Sequence, residues 1–407
     1  MLKHMIPEPG AGRVLALATL LLTVGQGAFM TCSALYFTTV AGLSVTEWGA
    51  GLTIAAGVGL FAGVPLGHLA DRKGARGTTA LLLALNGVAA AGYLLVDSFT
   101  QFVLVASAFI VMERGSRSAL QAAVAGTLGG DELVATRAYL RSITNVGVAV
   151  GAALASVSLH SGSAPALRAV VVLDALSFLA SAMVLTALPP VPPTPPAGGG
   201  HRLSVLRDRP FAVVTALSAV LSVHAVLLEV VLPLWIARHT SAPRWMVTVL
   251  FLINTACVVV FQVRIAKGVP DVPRAVRVVK LAGWALAASC LLFAASSAHA
   301  VLLSVMFLVG AAALHVYGEM VFSAAAWTIG FSLAPPHRQG QYQGFFFTGY
   351  ALAVMVAPAF LTTTVIEGGV IGWLVPAVLF AAAGLALGPV TAWAARNRPA
   401  DLLTAGG

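Results

Sequence analysis

The chain has 407 residues, of which 59% are hydrophobic and 9% charged, and its mean hydropathy is +0.94. That composition excludes an ordinary soluble domain. The net charge of +9 would suit a polyanion-binding protein, but the basic residues are spread among short polar connections rather than gathered in one patch.

A bilayer-spanning helix needs roughly 20 apolar residues. Twelve such segments stand out, at about 12–41, 45–70, 77–96, 100–127, 138–160, 166–188, 211–238, 244–266, 275–296, 299–331, 342–365 and 370–395. Hydrocarbon offers the backbone no hydrogen-bond partners, so each segment predicts a helix. The first run is too long for the apolar core of a signal peptide and lacks a cleavage site, which predicts a retained helix. It contains Gly25-Gln26-Gly27; the glycines permit close helix approach, and Gln26 is a candidate cavity contact. Phe29 and Tyr36 follow, as packing residues or cavity aromatics.

The second and third segments are joined by Gly67-His68-Leu69-Ala70-Asp71-Arg72-Lys73-Gly74-Ala75-Arg76. Such dense charge in so oily a chain predicts a loop at a membrane surface. Gly74 suits a sharp turn, and the Asp71 carboxylate is suited to capping the N-terminus of a neighbouring helix. Arg72 and Arg76 are suited to carboxylates or lipid headgroups.

The fourth segment carries Glu113, Arg114 and Arg117. A charge at the bilayer centre costs about 2.5–3.5 kcal/mol on insertion scales, so it usually faces a partner or a wet cavity. Glu113 and Arg117 are four apart and share a helix face. Arg114 points about 100° away. In the fifth segment Arg141 and Asn145 precede Gly147-Val148-Ala149-Val150-Gly151-Ala152, a Gly-x-x-x-Gly step that also suits helix packing. Asp174, in the sixth segment, reads as structural, reaching the interface or pairing with Arg168.

At mid-chain lies Pro189-Pro190-Val191-Pro192-Pro193-Thr194-Pro195-Pro196, followed by Ala197-Gly198-Gly199-Gly200 and a basic stretch to Arg209. Proline removes donors and glycine carries backbone entropy, so no helix forms there; residues 189–210 predict a cytoplasmic linker. The expected domains are 1–188 and 211–407, with six helices each.

The seventh segment carries His224 and Glu229, and the tenth carries His315 and Glu319 four apart. Glu229 has no basic residue three or four positions away. Low dielectric favours the neutral form of a carboxyl group, which suits an acid that must load and release a proton, and histidine also titrates near neutrality. A histidine bonded to a backbone carbonyl in the core is the plainer reading of His224 and His315. Phe322 and Trp327 are further aromatic candidates. An offset of about 203 residues lays one half over the other, placing Gln26 opposite Glu229 and Glu113 within a turn of Glu319, as a parallel repeat would.

Lys and Arg collect at the N-terminus (Lys3, Arg13), in the even-numbered connections (including Arg72, Lys73, Arg76, Arg137, Arg141, Arg202, Arg207, Arg209, Arg264, Lys267) and at the C-terminus (Arg396, Arg398), whereas the opposite side has Arg168, Arg238 and Arg244. The positive-inside rule then places both termini in the cytoplasm. Trp48, Trp235, Trp245 and Trp373, at segment ends, predict an interfacial belt. Cys32, Cys257 and Cys290 fall within apolar segments and read as packing residues. The excess of Arg over Lys, with abundant Ala and Gly, suits a high-GC bacterial genome.

The loop from Gly67 to Arg76 resembles the signature Gly-x-Leu-Ala-Asp-Arg-x-Gly-Arg-Arg/Lys of the major facilitator superfamily, matching at Gly67, Leu69, Ala70, Asp71, Arg72, Gly74 and Arg76 and departing at Ala75. The fifth segment resembles the family's antiporter motif Gly-x-x-x-Gly-Pro-x-x-Gly-Gly at Gly147 and Gly151, with Ala152 in place of proline. An arginine in the fourth helix, as in the drug/proton antiporters, is matched by Arg114 or Arg117. The resemblance implies an all-α membrane protein with twelve transmembrane helices in two pseudo-symmetric six-helix bundles. It implies that the signature loop is a conformational latch, and that helices one, four, seven and ten line a central cavity.

On this reading the chain is a secondary active transporter in a bacterial cell membrane, exporting amphipathic small molecules against protons as a monomer, without a cofactor, nucleic acid or enzymatic step. Glu113, Glu229 and Glu319 would serve the proton, with Gln26, Arg114, Arg117, Asn145, His224 and His315 at the substrate cavity. An uptake symporter for a small metabolite and a transport-inactive sensor or scaffold are the alternatives. No Gly-rich phosphate loop ends in Gly-Lys-Ser/Thr, and His315-x-x-x-Glu319 lacks the second histidine of a zincin.

Overall fold

A computed structural model describes residues 10–128, 130–190, 204–297 and 300–397. Most of the proline- and glycine-rich linker lies outside the described residues, as do Lys3, Arg202 and Arg398. The helices in chain order are α1 (Ala11–Thr39), α2 (Val45–Gly59), α3 (Gly63–Lys73), α4 (Ala75–Gly92), α5 (Phe99–Thr127), α6 (Gly130–Ser161), α7 (Ala164–Leu185), α8 (Arg209–Ser222), α9 (Leu232–His239), α10 (Met246–Lys267), α11 (Val272–Ala295), α12 (Val301–Ser332), α13 (Gln339–Leu361), α14 (Gly369–Gly372) and α15 (Leu374–Arg396). No strand occurs among the described residues.

Local chemistry sets several boundaries. Ser44 and Glu47 form a capping box at the start of α2. Asp208 and Asp271 accept the backbone N–H groups of Phe211 (3.0 Å) and Arg274 (2.7 Å) to open α8 and α11. Gly74 joins α3 to α4 at φ +97°, a conformation that side chains resist. The chain from α8 to α9 is one apolar run, yet it loosens into a π-turn at Leu227–Val231. Pro233 lies four residues beyond Glu229 and has no N–H to return to that carbonyl, so a local break is expected there.

Among the described residues, ten helical stretches are long and apolar enough to cross a membrane, or eleven if α2 and α3, bent by 45°, count as one. α5 has 29 residues but is not among them, because Glu113, Arg114 and Arg117 interrupt its apolar run. Large apolar side chains face outward, with Phe61 and Leu95 each 80% exposed. Water would penalise such a surface and lipid does not.

The chain divides into two units. The first comprises Met1–Ser204 with Ala334–Thr348, and the second Val205–Leu333 with Gly349–Gly407. In the first, α1 packs against α6 and α7, and α4 against α5 and α7, around an aromatic cluster of Phe29, Phe37, Tyr93, Phe102 and Phe109. Tyr36 adds its hydroxyl, which donates to the Tyr93 carbonyl at 3.1 Å. The opening turns of α13 group with this unit, because Gly340 and Gly344 lie directly on the backbone of Gly67 and Gly63 in α3. In the second unit α11 packs against α12 and α15, α8 against α15, and α10 against α12.

Two tryptophans expected at the lipid interface are core residues instead. Trp235 and Trp373 are fully buried; the Trp235 indole N–H donates to the Phe293 carbonyl and to Ser296 Oγ, both at 3.0 Å, and Trp373 stacks on Phe293 with ring centres 5.3 Å apart. Partners inside the bundle satisfy the Trp235 indole N–H, whereas Trp373 Nε1 has no hydrogen-bond partner among the described residues. Trp245, by contrast, is exposed.

Candidate functional site

Three groups of polar side chains interrupt the apolar helices. The first belongs to the signature loop. Asp71, near the end of α3, accepts the backbone N–H groups of Gly340 (2.7 Å) and Gln341 (2.9 Å). These are among the first residues of α13, whose opening N–H groups have no partner within the helix. One carboxylate therefore satisfies two donors and complements the positive helix end. The Gln341 amide donates in turn to His68 Nδ1 at 3.2 Å, and Ser204 Oγ donates to Gln341 Oε1 at 3.1 Å. Arg76 donates to the Leu188 carbonyl at 2.8 Å, while Arg72 is exposed. The loop thus reaches Leu188 on one flank of the linker directly and Ser204 on the other through Gln341. Gly67 meets the Gly340 backbone so closely that a Cβ has no space.

The second group lies in the first unit. Glu113 and Arg117 form the expected ion pair on α5 at 2.6 Å, with the acid 17% and the arginine 46% exposed. Arg114 runs along α2, its Cγ 3.7 Å from where a Cβ on Gly59 would stand. On α1, Gly25 backs onto Asp174 and Ser177 of α7, and Gly27 backs onto Val148 of α6. At 100° per residue the two glycines point about 200° apart, towards α7 and α6, and Gln26 lies between them, about 100° from each. Asn145 is half-buried on α6. Gly147 and Gly151 abut Thr23, Val24 and Ala28 of α1, so both glycines are explained by close α1–α6 packing.

The third group lies in the second unit. His224 sits just beyond α8, before the π-turn that carries Glu229. His315 and Glu319 are one turn apart on α12. The two histidine rings meet edge to face with centres 5.3 Å apart, and His315 Nε2 lies 3.2 Å from the His224 carbonyl. Phe322 meets His224 edge-on at 5.9 Å. Asn254 of α10 donates to Glu319 Oε2 at 2.9 Å. His224, His315 and Glu319 are buried, whereas Glu229 is exposed although it lies mid-span. Among the described residues no three His, Cys, Asp or Glu side chains converge as a metal-ion group.

Sequence reasoning missed four participants: His68, Ser204, Gln341 and Asn254. His68 lies inside the signature loop and so carried a signal. Asn254 is a lone amide in an apolar run and carried none.

Asp174 departs from expectation. It neither reaches the interface nor pairs with Arg168, which is exposed. Its side chain is fully buried, and neither carboxylate oxygen has a hydrogen-bond partner among the described residues.

A family model described as Major Facilitator Superfamily matches residues 15–358. No curated protein matches the sequence. Among solved structures, a bacterial homologue of the iron transporter ferroportin, in an outward-facing state, aligns with a TM-score of 0.76 at 14% identity, over 95% of this chain and 99% of that one. The human organic anion transporter MFSD10 aligns at 0.70 with 18% identity, over 92% and 98%. The proton:xylose symporter XylE aligns at 0.69 with 13% identity, over 92% and 94%. At these identities the likeness is one of fold.

Proposed function

We propose that this chain, which belongs to the Major Facilitator Superfamily and is a membrane transporter rather than an enzyme, exports amphipathic small molecules in exchange for protons by alternating access. The observation that carries the proposal is the set of ionisable side chains on α8–α9 and α12. His224, His315 and Glu319 are buried together, and Glu229 is exposed at mid-span on a π-turn. An acid is costly against hydrocarbon, so its exposure there suits a water-accessible cavity. π-turns recur at functional sites because they turn a side chain out of regular register.

In this reading Glu229 and Glu319 load and release the proton, and Glu113 serves the first unit. His224 and His315 tune the second group. Arg114, Arg117, Gln26 and Asn145 face the substrate. The site has few polar side chains, which suits an amphipathic cargo better than a sugar. The Asp71 carboxylate at the start of α13 is the latch, broken and remade in each cycle. α5 is the twelfth span, its charges turned to the substrate side rather than to lipid. The chain works as a monomer in a bacterial plasma membrane with both termini in the cytoplasm. A second reading, proton-coupled uptake of a metabolite, is favoured by Ala152 standing where the antiporter motif has proline.

Inside-out vesicles separate the two. Export predicts that an acid vesicle interior drives accumulation of a fluorescent lipophilic cation, and uptake predicts accumulation when the outer medium is acid. Glu229→Gln and Glu319→Gln each abolish the pH-driven component while thermal unfolding of the purified protein stays close to wild type. If both variants keep full coupling, these acids do not carry the proton. Ligand binding without flux under either gradient would favour a sensor.

A further inference from the structure

Asp174 of α7 is enclosed on every side that the first unit presents. Gly25 of α1 backs onto its main chain. The Ser177 hydroxyl donates to its carbonyl oxygen at 2.7 Å rather than to its carboxylate. Gly87 of α4 lies against the Ala175 carbonyl, and Phe109 of α5 meets Phe178 edge to face at 5.5 Å. The side chain is 0% exposed, and both carboxylate oxygens are without a hydrogen-bond partner among the described residues.

The ionisable groups that act on it are few. From α5 comes Glu113, a like charge that is itself ion-paired with Arg117 at 2.6 Å. From the turn Tyr93–Leu95 comes Tyr93, on which Asp174 itself acts. α1 has no charged residue after Arg13, α4 none after Arg76, and α6 none between Arg141 and His160. α7 itself adds only the exposed Arg168. α4 also carries Asn86, fully buried with both amide atoms likewise unpartnered among the described residues.

Among the described residues, an ionised carboxylate in this setting would have no hydrogen-bond donor and no cation paired with it, and the nearby Glu113 carboxylate is already paired with Arg117. Burial without compensation is what such a group cannot sustain. A carboxylic acid, formed when the carboxylate takes one proton from water, removes the net charge and keeps the side chain's shape. We propose that Asp174 is a proton-binding site of the first unit, occupied in this conformation and linked through charge to Glu113. The placement lies on a helix that the signature motifs do not touch. The proposal stands on the geometry of the first unit and holds whichever way the transporter moves its cargo.

Infrared spectroscopy of the purified full-length protein across a pH series tests it without any substrate. At neutral pH, where solvent-exposed carboxyl groups are ionised, the wild type should show a protonated-carboxyl C=O band, and Asp174→Asn should remove it. Asp174→Glu should keep such a band at a displaced frequency, which serves if the asparagine variant folds poorly. Glu113→Gln should move the pH at which the band is lost, whereas Glu319→Gln should leave the Asp174 band in place. A neutral-pH spectrum unchanged by both Asp174 substitutions overturns the proposal. An intact band in a protein that shows no pH-driven flux would count against proton-coupled export alone.

Discussion

Asp71 shows how one side chain in this protein joins distant parts of the sequence. Its two oxygens each accept a backbone N–H from the opening turn of α13, at 2.7 and 2.9 Å. Replacing a capping carboxylate with alanine typically costs about 0.5–2 kcal/mol, and here two donors lose their partner at once. Asp71→Ala should therefore lower the thermal midpoint measurably. Asp71→Asn keeps one acceptor but turns an NH2 group towards the second donor, so it should fall between alanine and wild type. If the contact is a latch, turnover in vesicles falls further than stability in both variants. Equal losses would mark Asp71 as a structural cap only. Asp71 was legible in the sequence because its charge and glycine spacing stand out from an apolar chain. Asn254 was not, because an amide acquires its role only when α10 packs on α12 and presents it to Glu319.

At the scale of elements, α3 and the start of α13 cross on two Gly-x-x-x-Gly steps, Gly63 with Gly67 and Gly340 with Gly344. Four residues make just over one helical turn, so each pair lines one face and lets backbone meet backbone. A Cβ at Gly67 or Gly340 would run into the opposite main chain, which cannot yield as a flexible side chain can. Gly67→Val and Gly340→Val should each lower the thermal midpoint and the transport rate together. Gly77→Ala is the control: nothing lies within 4 Å of its added methyl, and alanine in the first turn of α4 should leave stability unchanged or slightly raised. A valine at Gly67 that leaves both measurements unchanged would show that α3 and α13 need not approach so closely. The individual glycines were visible in the sequence. Their partnership was not, since each step reads alone as ordinary packing and no periodicity links two segments so far apart. The break between α2 and α3 was hidden for a similar reason, because hydropathy runs through it uninterrupted.

For the whole molecule, apolar length was the strongest signal, and it found nearly every helix because hydrocarbon leaves the backbone no alternative. Its weak point is α5, where three charges within five positions lower the apolarity of a helix still long enough to span at 29 residues. Whether α5 crosses decides the topology by parity. Among the described residues the apolar criterion gives eleven spans with α2 and α3 counted as one, and an odd number puts the two termini on opposite sides. Adding α5 makes the number even and puts them together. The distribution of Lys and Arg favours the even number, because basic residues gather at both termini and in alternate connections, as the positive-inside rule requires of one cytoplasmic face. Reporter fusions in a bacterial host decide between the two. A fluorescent protein that matures only in the cytoplasm should fluoresce when joined after Gly407, and an alkaline phosphatase at the same place should be inactive. Phosphatase joined within residues 41–44, after α1, should be active. Phosphatase activity at both positions would mean an odd number of crossings. It would remove α5 from the membrane, and with it the role proposed for Glu113, Arg114 and Arg117 at a substrate cavity.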